Sequence, residues 1–199
     1  MYVIGLTGGV GSGKSTVAQL IEKEWNAKVL IADEIGHLAF LPQSATYQEI
    51  VSYFGEDILD KDGEINHAAL AEKIFADDEK REALNAIIHP FVIAYIKEQL
   101  RTYKDTDTIV VIESAILIES GCVPLCDEVW YVYVPEQIRR QRLKISRNYT
   151  DEKIDSIMEK QMSEEAFRKA AAVVIENSRE LEEVRRQICK YIRRGLSSA

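Results

Sequence analysis

The sequence predicts an α/β protein in which a parallel sheet is flanked by helices. Two observations lead to this prediction: short apolar runs alternate with stretches of helical periodicity, and a dense cluster of glycines follows the first run. The apolar runs are typical of strands, and they lie at residues 2–7, 28–32, 108–113, 128–134 and 172–175. The third and fourth runs are almost continuously apolar, as strands buried on both faces are, and this favours parallel pairing.

Helices are predicted between these strands. From Lys14 onward, apolar residues recur at intervals of three and four, the period of an amphipathic helix. Residues 34–103 are mostly helical in pattern, so we expect an inserted helical subdomain. Within it, Thr46 and Glu49 have the spacing of a capping box, and Pro90 is expected to end or kink a long helix. Further helices are expected at residues 135–147 and 178–194.

The composition limits the classes of partner. The chain of 199 residues has 33 acidic and 25 basic side chains and a net charge of −8, which opposes unspecific attraction to nucleic acid. No apolar run approaches the roughly 18 to 20 residues that cross a bilayer, and the first residues lack the basic start of a signal peptide. We therefore expect a soluble cytoplasmic protein with no nucleic-acid or membrane partner. Its three cysteines are expected to be reduced and mostly buried.

A phosphate-binding motif follows the first strand. Residues 8–15 read GGVGSGKS and match G-x-x-x-x-G-K-[ST], the P-loop, between a predicted strand and a predicted helix. Glycines let successive backbone N–H groups surround phosphate oxygens, and the N-terminus of the helix adds its positive dipole end. The sequence therefore predicts a P-loop NTPase core with an ATP site. That site is formed by Gly11, Ser12, Gly13, Lys14, Ser15 and Thr16.

Each side chain of the motif has an expected partner on the nucleotide. Lys14 is expected to neutralise the β and γ phosphates, Ser15 to ligand Mg²⁺, and Thr16 to reach the α phosphate. GTPases, motor ATPases and small-molecule kinases all share this loop. No Asn-Lys-x-Asp motif for guanine is found, and the third strand ends in Glu113 without the adjacent acids of motor ATPases. A kinase acting on a small hydroxylated acceptor is the hypothesis that these features favour.

Two acidic residues stand at predicted strand ends, where parallel sheets bind their ligands. Asp33 follows the second strand and is predicted to act as the base that takes the proton of the acceptor hydroxyl. The alternative is an N-cap for a helix starting at Glu34. Glu113 follows the third strand and is predicted to hold Mg²⁺ through water, with simple solvation of the strand end as the alternative.

A concentrated run of cations breaks the acidic balance of the chain. Its five members lie within nine residues that contain no acid, and they are Arg139, Arg140, Arg142, Lys144 and Arg147. At helical spacing Arg140, Lys144 and Arg147 share one face, with the other two beside it. This helix is predicted to be a mobile clamp that closes over ATP. The alternative is a solvated basic helix.

In combination, these motifs resemble the dephospho-coenzyme A kinase family over nearly the whole chain. The resemblance rests on segments that include the P-loop, Ala32-Asp33, His89-Pro90, the basic helix and Gln161. It also includes residues 54–59, 62–64, 113–121 and 174–177. The resemblance implies a five-stranded parallel core, a coenzyme A subdomain and a helical lid. We place the core at residues 1–33, 104–138 and 170–199, the subdomain at 34–103 and the lid at 139–169.

The resemblance also implies a reaction. MgATP would phosphorylate the ribose 3′-hydroxyl of dephospho-coenzyme A to give coenzyme A and ADP, the last step of coenzyme A biosynthesis. Asp33 matches the catalytic carboxylate of the family and Lys14 its phosphate-binding lysine. Arg142 and Arg147 match lid arginines that stabilise transferred charge and bind nucleotide. His89 is expected to line the acceptor pocket, with packing as the alternative.

The chain departs from the family pattern at a few positions. Ile31 stands where the family often has a first aspartate, so Asp33 is expected to act without it. Ala115–Glu119 replaces the family's Pro-Leu-Leu-Phe-Glu box, and Ile157 stands where an arginine is usual. Two other functions compete with the kinase of dephospho-coenzyme A: a nucleoside or nucleotide kinase, and a nucleotide-gated switch that needs only the P-loop.

Overall fold

The computed structural model describes residues 1–75 and 77–197. Its strands are β1 (Tyr2–Thr7), β2 (Lys28–Ile31), β3 (Ile109–Glu113), β4 (Glu128–Tyr133) and β5 (Val173–Glu176). Its helices are α1 (Lys14–Trp25), α2 (Ala32–Leu38), α3 (Ala45–Phe54), α4 (His67–Phe75), α5 (Asp78–Thr102), α6 (Glu136–Arg147), α7 (Asp151–Met158), α8 (Glu164–Ala170) and α9 (Leu181–Leu196).

The strands form one sheet in the order β2-β3-β1-β4-β5, which places β1 at its centre. β1 pairs in parallel with β3 and β4, and β4 pairs in parallel with β5. Leu6 lies opposite Glu113, and Tyr133 lies opposite Glu176, so the carboxyl ends of neighbouring strands lie along one edge. The predicted α/β fold with a parallel five-stranded sheet is confirmed.

The chain divides into two compact units. The first comprises Met1–Leu30 and Tyr103–Ala199, and the second comprises Ile31–Thr102. In the first unit, β-branched and aromatic residues of the sheet pack against α1 and α9, where Val17, Ile21 and Ile188 are fully buried. This packing fixes the sheet and therefore the loops at its carboxyl edge.

The second unit consists of helices α2 to α5 around its own apolar core. Ile50 and Ile58 are fully buried in that core, beside Tyr47, Phe54 and Leu84. The limits of this unit lie close to the subdomain predicted at 34–103. The role of that subdomain in coenzyme A binding, and that of residues 139–169 as a lid, stay predictions.

Local details in the second unit correct two expectations. Ser44, not Thr46, is the N-cap of α3, because the Ser44 hydroxyl accepts a hydrogen bond from the backbone N–H of Thr46 at 3.3 Å. Helix α5 continues through Pro90, so the helix end expected there is wrong, while the alternative of a kink stays a prediction. Buried Leu84 and Val92, before and after Pro90, hold α5 in place by packing, which offsets the backbone bond that proline cannot make.

Smaller differences concern element ends and exposure. Ala32 belongs to α2 and not to β2, and α9 begins at Leu181. Of the three free cysteines, Cys122 is buried while Cys126 and Cys189 are half-buried. Among the described residues, no helix is both long enough and apolar enough to cross a bilayer.

Candidate active site

The P-loop connects β1 to α1 at the carboxyl edge of the sheet. Gly13 is the N-cap of α1 with φ of 82°, and Gly11 has φ of 77°, a left-handed region that favours glycine. The backbone N–H of Ser12 donates to the Gly9 carbonyl at 3.1 Å, which closes a turn inside the loop. Strand, loop and helix N-terminus therefore follow one another as phosphate binding requires.

Lys14 folds back over the loop that precedes it. Its Nζ donates to the Gly8 carbonyl oxygen at 2.9 Å, and its side chain is half-buried. The ammonium group is thus held at the mouth of the loop, where a polyphosphate would need a cation. Thr16 lies in the first turn of α1 and is exposed.

Ser15 and Glu113 come together from two different elements. The Ser15 hydroxyl, in the first turn of α1, donates to Glu113 Oε1 at 2.9 Å. Glu113 ends β3 and is only 6% exposed, so the alternative of a solvated strand end is wrong. The structure therefore brings together the two residues that the sequence predicts as a Mg²⁺ site.

The basic helix α6 presents two sets of cations. On one face, Arg140 Nε bonds Glu136 at 2.8 Å, Arg140 Nη2 bonds Asp155, and Lys144 Nζ bonds Asp151 at 2.8 Å. The hydrogen bonds that Arg140 donates to the Glu136 and Asp155 carboxylates raise the pKa of Arg140, and the hydrogen bond from the Lys144 ammonium lowers that of Asp151. Arg140 and Lys144 thus bind α7, which belongs to the same predicted lid, and the closure of that lid over ATP stays a prediction.

The other arginines of α6 divide between the P-loop and the helix end. Arg142 Nη2 donates to the Asn177 carbonyl at 2.8 Å, and its Nη1 donates to the Ser12 carbonyl at 3.5 Å. Arg139 lies so close to Gly9 that a Cβ there would overlap its guanidinium. Arg147 instead lies over the Tyr149 ring, at 5.9 Å from its centroid.

Two side-chain amides at the P-loop had no assigned role from sequence. Gln161 Oε1 accepts from the backbone N–H of Val10 at 3.0 Å, and Asn177 Nδ2 donates to the Ser12 carbonyl at 2.7 Å. Asn177 directly follows β5, and this position at a strand end was a usable signal. Gln161 follows a short helix, and the sequence singled it out only as part of the family resemblance, without a role.

The second unit holds the other predicted site residues, Asp33 and His89. Asp33 is exposed in the first turn of α2, and the N-cap of that helix is Ile31, so the N-cap alternative for Asp33 is wrong. Within the described residues of this unit, no hydrogen bond or ion pair engages the Asp33 carboxylate. His89 is half-buried in α5, and burial lowers the pKa of its imidazole.

Comparison with known proteins identifies the family. The family model described as dephospho-CoA kinase matches residues 2–183. The dephospho-CoA kinase of Carboxydothermus hydrogenoformans is 36% identical over 194 residues, which cover 96% of this chain and 93% of that protein. The chain belongs to the dephospho-CoA kinase family. The predicted resemblance is confirmed.

Solved structures share this fold. TT1252 from Thermus thermophilus is 30% identical with a TM-score of 0.82, covering 97% of this chain and 96% of that one. The dephospho-CoA kinase from Campylobacter jejuni has a TM-score of 0.70 over 98% of both chains, at 24% identity. Membership of the dephospho-CoA kinase family makes the protein a P-loop kinase, and the switch alternative is wrong.

Proposed function

We propose that this enzyme transfers the γ-phosphoryl group of MgATP to the ribose 3′-hydroxyl of dephospho-coenzyme A, giving coenzyme A and ADP. The observation that supports this most directly is the P-loop geometry, with Lys14, Ser15 and Glu113 gathered at the carboxyl edge of the sheet, in a chain of this family. ATP is the co-substrate that a kinase of this class requires.

The nucleotide phosphates are proposed to lie in the loop and against the start of α1. Gly11 and Gly13 are proposed to supply backbone N–H groups, Ser12 to hold the loop through its N–H bond to the Gly9 carbonyl, and Lys14 and Thr16 to supply side-chain donors. Arg142 is proposed to turn from its carbonyl partners toward the transferred phosphoryl group, where a guanidinium stabilises developing charge. Arg147, exposed in the last turn of α6, is the second proposed nucleotide contact from this helix.

The donors at Ser15 and Glu113 fit Mg²⁺. A hydroxyl and a carboxylate 2.9 Å apart are hard oxygen donors, and Mg²⁺ typically takes one or two such protein ligands and completes its shell with water and phosphate. When bound, Mg²⁺ supplies charge neutralisation between the β and γ phosphates. Ser15 is proposed as a direct ligand and Glu113 as a ligand through water.

Asp33 is proposed as the general base. Its carboxylate accepts the proton of the 3′-hydroxyl while the hydroxyl oxygen forms a bond to the γ phosphorus. The bond from that phosphorus to the bridging oxygen breaks, and its electron pair leaves on ADP. An exposed carboxylate without a competing partner in its own unit supports this role, and Ile31 leaves no neighbouring aspartate to share it.

The helical unit of residues 31–102 is proposed to hold the acceptor. His89 is the proposed contact on α5, as the family resemblance implies, and burial lowers the pKa of its imidazole, which favours the neutral ring. A neutral imidazole both donates and accepts one hydrogen bond, which suits the amide and hydroxyl groups of dephospho-coenzyme A.

A panel of acceptors tests the proposed reaction. ADP release is measured with ATP and Mg²⁺ against dephospho-coenzyme A, adenosine and nucleoside monophosphates. We expect turnover with dephospho-coenzyme A and none comparable with the others. Equal rates on all acceptors would contradict the proposed substrate, and preference for a nucleoside or nucleotide would favour the competing kinase.

Single-turnover phosphoryl transfer distinguishes the proposed roles of Asp33 and Glu113. Asp33→Asn is expected to lower kcat by about 10² to 10⁴ with little change in ATP affinity, because the base is lost while the P-loop is intact. Glu113→Gln is expected to recover part of its activity as Mg²⁺ is raised from limiting to saturating. If Mg²⁺ instead rescues Asp33→Asn and leaves Glu113→Gln impaired, the two roles are exchanged.

A further inference from the structure

Two amide side chains, those of Gln161 and Asn177, hydrogen-bond to different residues of the P-loop. Gln161 accepts a hydrogen bond from the Val10 N–H at 3.0 Å, and Asn177 donates one to the Ser12 carbonyl at 2.7 Å. Asn177 is 6% exposed, and Ser12 is 1% exposed, so water has little access to the second bond. The two amides engage the loop one residue to either side of Gly11.

The glycines of the loop leave space for these amides. A Cβ built on Gly13 would lie 2.5 Å from Asn177 Nδ2, and a Cβ on Gly9 would lie 3.3 Å from Gln161 Oε1. The first distance is shorter than any ordinary contact. The absence of a side chain at Gly13 and Gly9 therefore leaves room for the two amide groups beside the loop.

We propose that Gln161 and Asn177 are positioning residues that hold the loop in its phosphate-binding form before ATP arrives. The turn inside the loop supplies one short backbone bond, Ser12 N–H to Gly9 carbonyl. The amides fix the Val10 N–H and the Ser12 carbonyl of that turn, so the N–H groups that meet the phosphates need no further ordering. Preorganisation of this kind lowers the free energy that binding must spend on ordering a loop.

The inference rests on the proposed function only for its kinetic readout. Loss of either amide contact is expected to raise the KM for ATP about tenfold, which corresponds to about 1.4 kcal/mol. The kcat and the KM for dephospho-coenzyme A are expected to change less than twofold, because neither amide is proposed to touch the reacting atoms or the acceptor.

Matched substitutions test each contact. Gln161→Met keeps the length of the side chain and removes the acceptor, whereas Gln161→Glu keeps an acceptor oxygen. Asn177→Asp keeps the shape and turns the donor into an oxygen that faces the Ser12 carbonyl. Gln141→Met makes the same chemical change as Gln161→Met at an exposed position of α6, and it serves as the control.

The expected result is a higher KM for ATP in Gln161→Met and Asn177→Asp, with Gln161→Glu and Gln141→Met close to the parent. Unfolding temperature is measured in parallel. An unchanged KM in both variants, or equal effects of Gln161→Met and Gln161→Glu, would overturn the proposal. So would a lowered unfolding temperature with an unchanged KM, because the amides would then be structural only.

Direct binding keeps this test independent of the acceptor. Calorimetry with tripolyphosphate, and with ATP in the absence of acceptor, is expected to show the same tenfold weakening in the two variants. If the parent enzyme fails to phosphorylate dephospho-coenzyme A but binds tripolyphosphate, the proposed function fails and the positioning role is still decided by this comparison. Equal affinities in parent and variants would refute the positioning role alone.

Discussion

The two sides of helix α6 use their cations differently. Toward α7, Arg140 and Lys144 bond the carboxylates of Asp155 and Asp151, so their charges are compensated. Toward the P-loop, Arg142 bonds the backbone carbonyls of Asn177 and Ser12, which carry no net charge. Carbonyl partners hold a guanidinium in place without neutralising it. One helix thus contributes structural cations on one side and a cation available to an anionic ligand on the other.

The largest effect is expected at Lys14, with Lys144 on the α7 side of α6 as the comparison. Lys14→Ala removes the ammonium that lies on the Gly8 carbonyl, and we expect turnover to be abolished and nucleotide binding to weaken. Lys144→Ala removes one that pairs with Asp151 and is expected to leave kcat within twofold. Steady-state ADP release measures both. Activity above about a tenth of the parent in Lys14→Ala would contradict the P-loop assignment.

The next effect separates the two arginines of α6. Arg142→Ala is expected to lower kcat about 10²-fold, the usual effect of losing one charge-stabilising donor, with a smaller change in acceptor KM. Arg140→Ala is expected to change kcat less than twofold. Initial rates at saturating ATP and dephospho-coenzyme A provide the measurement. A parent-like kcat in both Arg142→Ala and Arg147→Ala would instead favour a merely solvated helix on the nucleotide side.

A smaller effect, on thermal stability, is expected when an ion pair between α6 and α7 is removed. Asp155→Asn removes one carboxylate partner of Arg140, an exposed ion pair of the kind that contributes modestly and is screened by salt. We expect a slightly lower Tm at low ionic strength and no difference from the parent in about 1 M salt. Thermal unfolding at both salt concentrations measures this. A difference that persists at high salt would mean that packing, not charge, connects α6 and α7.

The smallest effect is the change in thermal stability expected as the pH is lowered. The pKa of Asp151 is lowered in the folded protein by Lys144, so this pair stabilises the fold above the unfolded carboxyl pKa of about 3.9. As pH falls through the lower folded value, the carboxylate is protonated and that contribution is lost. Comparing the Tm of Asp151→Asn with the parent from pH 7 to pH 3 tests the sign. A Tm difference between variant and parent that grows toward low pH would contradict the expected sign.

Much of the fold could be predicted because burial leaves a direct pattern in sequence. Strands buried on both faces must be apolar along their length, and this located β3 and β4 to within one residue of their ends. The spacing of the P-loop is equally direct, since it depends on consecutive backbone groups. Element ends were less certain where two nearby residues can both act as the cap, as Ser44 and Thr46 can for α3.

The site was predictable where it is local in sequence and not where it depends on tertiary contacts. Helical periodicity showed which cations of α6 share a face, but it could not show that Asp151 and Asp155 of α7 cover that face. Likewise, nothing near Gln161 in sequence indicates that it meets Val10, because the contact joins residues far apart in the chain. Long-range contacts of this kind require the packed structure.

The crowding around Gly9 has a consequence for how such a loop can diverge. Gly9 has no left-handed backbone that would demand glycine, and its side-chain space is taken up by Arg139 and Gln161. A larger residue at position 9 therefore requires the end of the Arg139 side chain, which a Cβ there would overlap, to move away or to be shortened. Gly13 differs, because its φ of 82° restricts it whatever Asn177 becomes. The two glycines therefore differ in how they can be replaced. Substitution of Gly9 depends on the side chain at position 139, whereas substitution of Gly13 is disfavoured by its own backbone conformation.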